Sequence, residues 1–212
     1  MQYMDDRDGA WRELLKHKVG SLPVKISDIC RAEGITVLSY KNGAEIIEAS
    51  RFAHSAETSD GFAAIIRRRK YIFYSEACSV ERQRFTVAHE YGHYVRNHVT
   101  EAPTSRNREP GEEDDPLETD ANIVASRILS PACVLWGLKV RSAEEISQLC
   151  DISAAAARWR MKRMLQLYER ELDFLLERGQ SCFLQSPLER EVFRQFGGYI
   201  KNQLQRRAGP SQ

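Results

Sequence analysis

Arg84-Phe-Thr-Val-Ala-His-Glu-Tyr-Gly-His93 is the stretch that decides the reading of this chain, because its last five residues form an HExxH motif. On a helix, positions i and i+4 lie about 40° apart and one turn up. His89 and His93 can therefore aim one imidazole nitrogen each at a single metal ion. Glu90 falls on the lip of the same face, where a carboxylate can take a proton from water. The alternative is a surface helix with two unrelated histidines. The other faces argue against that, since Phe85, Val87, Ala88, Tyr91, Tyr94 and Val95 make the segment apolar nearly all round. Such a helix, expected over about 79–98, is central. Gly92 weakens it; a small residue there would let another segment approach closely beside the metal, the alternative being a simple packing glycine.

Outward from this motif, the segments alternate between helix and strand signals. Residues 9–19 place Trp11, Leu14, Leu15 and Val19 at helical spacing, and Pro23 opens a second helical stretch that stops at Gly34. Residues 35–40 are short and β-branched, hence a strand. Residues 62–67 and 71–75 bracket Arg68-Arg69-Lys70 and read as a hairpin with a basic tip. Residues 100–115 are polar with Pro and Gly and lack periodicity, the signature of a mobile loop. Asp115-Pro116 then supplies an N-cap and a first-turn proline, and Leu117, Ala121, Val124, Ala125 and Ile128 form an apolar stripe ended by Ser130-Pro131.

Catalytic zinc usually has three protein ligands and an open position. His98 is five residues past His93, about 140° away on a continued helix, and reads as a helix-end polar residue. His17 and His54 show no ligand context. Glu118, 25 residues after His93, is the best-placed carboxylate, but Asp115-Pro-Leu-Glu118 equally fits a capping box, and Glu112, Glu113 and Asp120 compete. Asn122, one turn on, is a candidate to orient a ligand. Tyr40, Tyr91 and Tyr94 are candidates to stabilise an oxyanion.

The chain has 212 residues, 42% hydrophobic and 29% charged, with net charge +1. This length can bury a core, and the charge gives no bulk attraction to nucleic acid or membrane, so any such binding is local. No apolar run approaches the roughly 18 residues of a bilayer span, and the first residues lack a secretory pattern. Cys30, Cys78, Cys133, Cys150 and Cys182 are scattered, with no CxxC pair. That disfavours a disulfide framework or cysteine metal site and suits a reduced, cytoplasmic protein.

In the last third, Ser142-Ala-Glu-Glu145 opens a short helix, Cys150-Asp-Ile-Ser153 makes a turn, and a second helix follows over 154–169. This order is helix-turn-helix-like at 142–169. Arg158, Arg160, Lys162 and Arg163 stand on the second helix, either as a DNA-reading face or, the favoured reading, as a solvated basic face. Residues 171–178 and 187–205 read as helical, and 206–212 as a disordered tail.

The segment Arg84-Phe-Thr-Val-Ala-His-Glu-Tyr-Gly-His93, followed by Glu118-Thr-Asp-Ala-Asn122 and Ile128-Leu-Ser-Pro131, resembles the ImmA/IrrE family of metallo-endopeptidases. Its pattern is RFTxAHExGH, then ExxANxFAxxLLxP, with Val124 here in place of the Phe. The resemblance, over roughly 10–135, implies an α+β fold: a zincin-like metallopeptidase domain at 1–135 with a small twisted antiparallel or mixed sheet. A helical region at 136–205 follows. It implies that His89, His93 and Glu118 bind the metal and that Glu90 is the general base. The metal expected is Zn²⁺, although Mn²⁺ or another divalent ion suits the same donors. It further implies a protein substrate, a helix-turn-helix repressor, and a role in transcription regulation or stress response. The competing expectation is a DNA-binding or protein-binding regulator with a structural or vestigial metal site. Composition and motifs leave the oligomeric state open.

Overall fold

The computed structural model describes residues 2–50, 52–100 and 115–208. They form two compact units, one of Met1–Gly9 with Lys25–Ser126 and one of Ala10–Val24 with Arg127–Gln212. The secondary structure is a mixture of helices with one small sheet, an α+β arrangement.

In the first unit, β1 (Ile35–Ser39), β2 (Gly61–Ile66) and β3 (Arg69–Tyr74) make a three-stranded sheet ordered β1-β3-β2. β1 runs parallel to β3 and β2 antiparallel to it, so the sheet is mixed. Tyr71, Ile72 and Phe73 are all buried, as expected of a central strand covered on both faces. On one face Phe62, Ala64, Tyr71 and Phe73 pack with Ile47 of α3 (Ala44–Glu48) and, at the margin, Ala56 of α4 (Ala53–Thr58). Helices α2 (Ile26–Ala32) and α5 (Val80–Val95) also belong to this unit, as does most of α6 (Pro116–Leu129). The Tyr94 hydroxyl lies 2.7 Å from the Ala64 carbonyl and 2.9 Å from that of Tyr71, and it accepts from the Tyr71 N–H at 3.2 Å. One phenol thus ties the motif helix to two strands.

Several boundaries differ from the sequence reading. The hairpin tip is Arg67-Arg68, both left-handed at φ 50° and 65°, so β3 begins at Arg69. A two-residue turn compatible with strand twist needs positive φ at both positions, usually signalled by Asn-Gly. Two arginines hide it. α2 starts at Ile26 rather than Pro23, because a proline that suits a first helical turn suits a tight turn equally. The loop over 100–115, with Glu112 and Glu113, falls almost wholly outside the described residues.

The second unit contains the later part of α1 (Gln2–Lys16) with α7 (Ala132–Gly137), α8 (Ala143–Cys150), α9 (Ala154–Arg178), α10 (Pro187–Gln195) and α11 (Gly197–Ala208). Trp11, Leu14, Leu135, Leu138, Ile146, Met164, Phe183 and Phe196 are buried here. Ser142 and Ser153 cap α8 and α9 through their hydroxyls, as their positions suggested. The two segments read at 154–169 and 171–178 are one helix, and the single segment at 187–205 is two, broken at Phe196. Residues 206–208 continue α11, and 209–212 lie outside the described residues. Arg160 leaves the basic face of α9: its guanidinium donates to the Ser130 carbonyl, an acceptor stranded where α6 (Pro116–Leu129) ends. Burial lowers its pKa to about 10, and nearby Arg127 adds to the drop. Among the described residues, no helix is long and apolar enough to cross a membrane.

Candidate metal centre

Ser79 caps α5, its hydroxyl accepting from the Arg82 N–H at 3.3 Å, so the helix starts one turn before the apolar run that buries it. His89 and His93, one turn apart, then bring their Nε2 atoms to 3.1 Å from each other. Glu118, in the first turn of α6, turns both carboxylate oxygens to them: Oε2 lies 2.9 Å from His89 Nε2 and Oε1 3.1 Å from His93 Nε2. The three side chains form a group that could hold a metal ion. Ligands about 2.0–2.1 Å from a tetrahedral ion stand roughly 3.3 Å apart, so a triangle with edges near 3 Å accepts one ion just above its plane.

The hydrogen bonding around the triangle points the same way. His89 Nδ1 is 2.9 Å from Asn122 Oδ1, which fixes the ring with Nε2 turned toward Glu118. Two ring nitrogens and two carboxylate oxygens brought within about 3 Å, with a hydrogen-bond partner behind each ring, make a donor cluster of the kind that holds a cation. The donor set therefore fits a divalent ion. Asn122 occupies the orienting position its spacing suggested.

His98 corrects the sequence reading. It folds back so that its Nδ1 lies 3.1 Å from His93 Nδ1. The helical angle fails because α5 has already ended. Asn97 is left-handed at φ 57°, and the His98 N–H donates to the His93 carbonyl at 2.8 Å, a Schellman-type ending. Asn97, a residue tolerant of that conformation, was the available signal. With His93 Nε2 facing the triangle, its Nδ1–H can donate to His98.

Gly92 meets the expectation of close approach. A Cβ placed there would lie 2.7 Å from the Ala121 carbonyl oxygen and 3.0 Å from its Cα, so α5 and α6 cross at backbone contact beside the ligands. Other candidates fall away. Asp120 pairs with Arg96 at 3.4 Å, and His17 is 3.4 Å from Glu13. The His54 side chain lies outside the described residues. Tyr94 is engaged with strand backbone, Tyr91 is buried, and the Tyr40 hydroxyl donates to the Ser59 carbonyl at 2.9 Å. Burial pushes the Tyr40 phenol up to about 12; the Ser59 bond opposes the rise and the Glu90 carboxylate adds to it.

The triangle opens into a cleft of about 450 Å³ whose lining includes His89, Glu90, His93, His98, Glu118 and Asn122. Phe52, Phe62, Phe85 and Val99 give it apolar wall, and Asp60 to Ala63, at the start of β2, line one side. At the rim, Arg82 bonds Asp60 at 2.7 Å, and this bond chiefly holds the Asp60 carboxyl below its usual range.

A family model, Peptidase_M78, described as the IrrE N-terminal-like domain, matches residues 30–164. A search of curated proteins finds none that matches the chain.

Proposed function

The chain belongs to the Peptidase_M78 family of IrrE N-terminal-like domains, and its function is metallopeptidase-like; from that premise we propose a zinc-dependent endopeptidase that cuts a regulatory protein. The observation that supports this most strongly is the His89–His93–Glu118 triangle, with Asn122 behind the His89 ring. His89, His93 and Glu118 would hold the ion, a nitrogen and carboxylate set that suits zinc and also accommodates manganese. A divalent ion bound there supplies Lewis acidity, polarising a carbonyl and lowering the pKa of water.

The chain's own residues do the rest. Glu90, buried and in the cleft lining, is placed to accept a proton from the attacking water and return it to the leaving amine. Asn122 orients the His89 ring, and His98 braces His93. The aromatic wall limits water around the scissile bond. β2 stands at the sheet edge, and an extended peptide can pair with its backbone where Asp60 to Ala63 line the cleft.

The substrate of this reading is a helix-turn-helix transcriptional repressor in the cytoplasm, whose cleavage relieves repression during stress. Family membership supports the substrate class, and five cysteines without a disulfide suit a reducing compartment. The test is incubation of metal-loaded protein with such repressors. One discrete cut, absent with Glu90→Gln, is expected; cleavage that survives Glu90→Gln overturns the mechanism.

A further inference from the structure

Helix α9 runs 25 residues, about 37 Å; it buries Ala157, Met161, Met164 and Phe174 on one face and exposes large apolar side chains on another. Leu165, Leu172 and Leu176 follow one another at spacings of seven and four, within about 40° of arc, and they are 50%, 64% and 77% exposed. Trp159, toward the helix start and about 120° round from the leucines, is 74% exposed. Contiguous exposed apolar side chains of this size mark an interaction surface.

The charges beside that stripe identify the partner. Arg158 and Lys162 sit one turn apart near the start of α9, and Glu169, Asp173 and Glu177 sit one turn apart near its end, all exposed. Like charges at i and i+4 repel and destabilise a lone helix. Of the neighbouring cations, Arg170 and Arg178 lie over the Phe174 ring at 5.2 and 4.7 Å, as Lys162 lies over the Trp159 ring at 5.4 Å. The basic and acidic strings have the same spacing in opposite order, which is the pattern of a surface complementary to itself turned end for end.

We infer that α9 is the contact of a homodimer, in which two copies of the helix pack antiparallel about a twofold axis level with Leu167 and Tyr168. In this register Lys162 faces Asp173 of the other copy, Gln166 stands near Glu169, and Arg158 lies level with Glu177. An antiparallel twofold brings the same flank of both helices together, so the leucine flanks also meet. Leu165, Leu172 and Leu176 then interleave with their counterparts along the seam, and Leu176 lands level with Trp159. The interface is isologous, every favourable pair occurring twice. The surface lies on one helix of the second unit, and His89, His93 and Glu118 belong to the first.

Sedimentation velocity of the full chain over a concentration series, with charge-swapped variants, tests this. The wild-type chain is expected to dimerise. Lys162→Glu alone and Asp173→Lys alone each convert two attractive pairs into two repulsive ones and should raise the dimer Kd by about tenfold or more. Both swaps in one chain restore attraction and should return the Kd toward wild type. Leu172→Asp should give a folded monomer, as judged by circular dichroism and melting temperature. Three results overturn the inference: a wild-type chain that stays monomeric at high micromolar concentration, a double swap that fails to rescue, or a Leu172→Asp chain that still dimerises. A monomer whose α9 variants lose DNA binding or capture of another protein would assign the face to that partner instead.

Discussion

Replacing Gly92 with alanine probes the contact on which the centre is built. The added Cβ would sit 2.7 Å from the Ala121 oxygen, 3.0 Å from its Cα and 3.2 Å from its carbonyl carbon. Ordinary contact begins near 3.4 Å, so α6 must retreat from α5 by roughly 0.5–0.7 Å. Overpacking of this kind costs about 1–3 kcal/mol, against about 1 kcal/mol gained in helix propensity. The metal-free protein should thus lose between nothing and about 2 kcal/mol. Metal affinity should suffer more. Glu118 lies one turn before Ala121 on α6, while both histidines are on α5. A displacement of half an ångström exceeds the roughly 0.2 Å tolerance of metal–ligand distances. The expected loss is on the order of 10–100-fold in affinity. Competition against a chromophoric chelator measures this, and thermal unfolding of the metal-free protein measures the packing cost. An alanine variant with unchanged affinity and a raised melting temperature would refute the packing argument, leaving propensity as the only effect.

Glu90→Gln should retain the metal and lose peptide cleavage, whereas His93→Ala should lose both, as judged by elemental analysis and a cleavage assay. Asn122→Ala removes the acceptor at His89 Nδ1, 2.9 Å away, and should weaken metal binding by roughly 10–100-fold, while Asn122→Asp keeps an acceptor and most of the affinity. Burial pushes the Cys30 and Cys133 thiols up to about 12 from 9.0. Raised folded-state values mean the native protein holds protons the unfolded chain releases. Their contribution is therefore full below about pH 9 and declines toward pH 12, by up to about 1.4 kcal/mol per pH unit for each thiol. Urea melts at pH 8, 9 and 10 should show falling stability; constant stability would contradict this burial.

The motif helix, the edge strand β1 and the α6 stripe were legible because each carries a period, a composition or a cap that the fold then uses: the all-round apolar α5, the β-branched run at 35–40, the Asp115-Pro116 start. Glu118 was legible only as one of several carboxylates. Choosing it needs the α5–α6 crossing at Gly92 and Ala121, a long-range fact that spacing along the chain does not encode. His98 was misread because the helical angle was carried past Asn97, where the backbone turns left-handed. Arg160 was misread because a cation on a basic helix looks solvated until the carbonyl of Ser130 is known to lie beneath it. Short helices α3, α4 and α7 escaped notice; at five or six residues they show less than two turns of periodicity.

The central claim is that two rings of α5 and one carboxylate of α6 converge on one divalent ion. Anomalous diffraction at the zinc absorption edge from crystals of the zinc-loaded protein tests it most directly. A single peak about 2.0–2.2 Å from His89 Nε2, His93 Nε2 and a Glu118 oxygen is expected. A fully loaded crystal with no peak between those three atoms, or with the ion held by other residues, would contradict it.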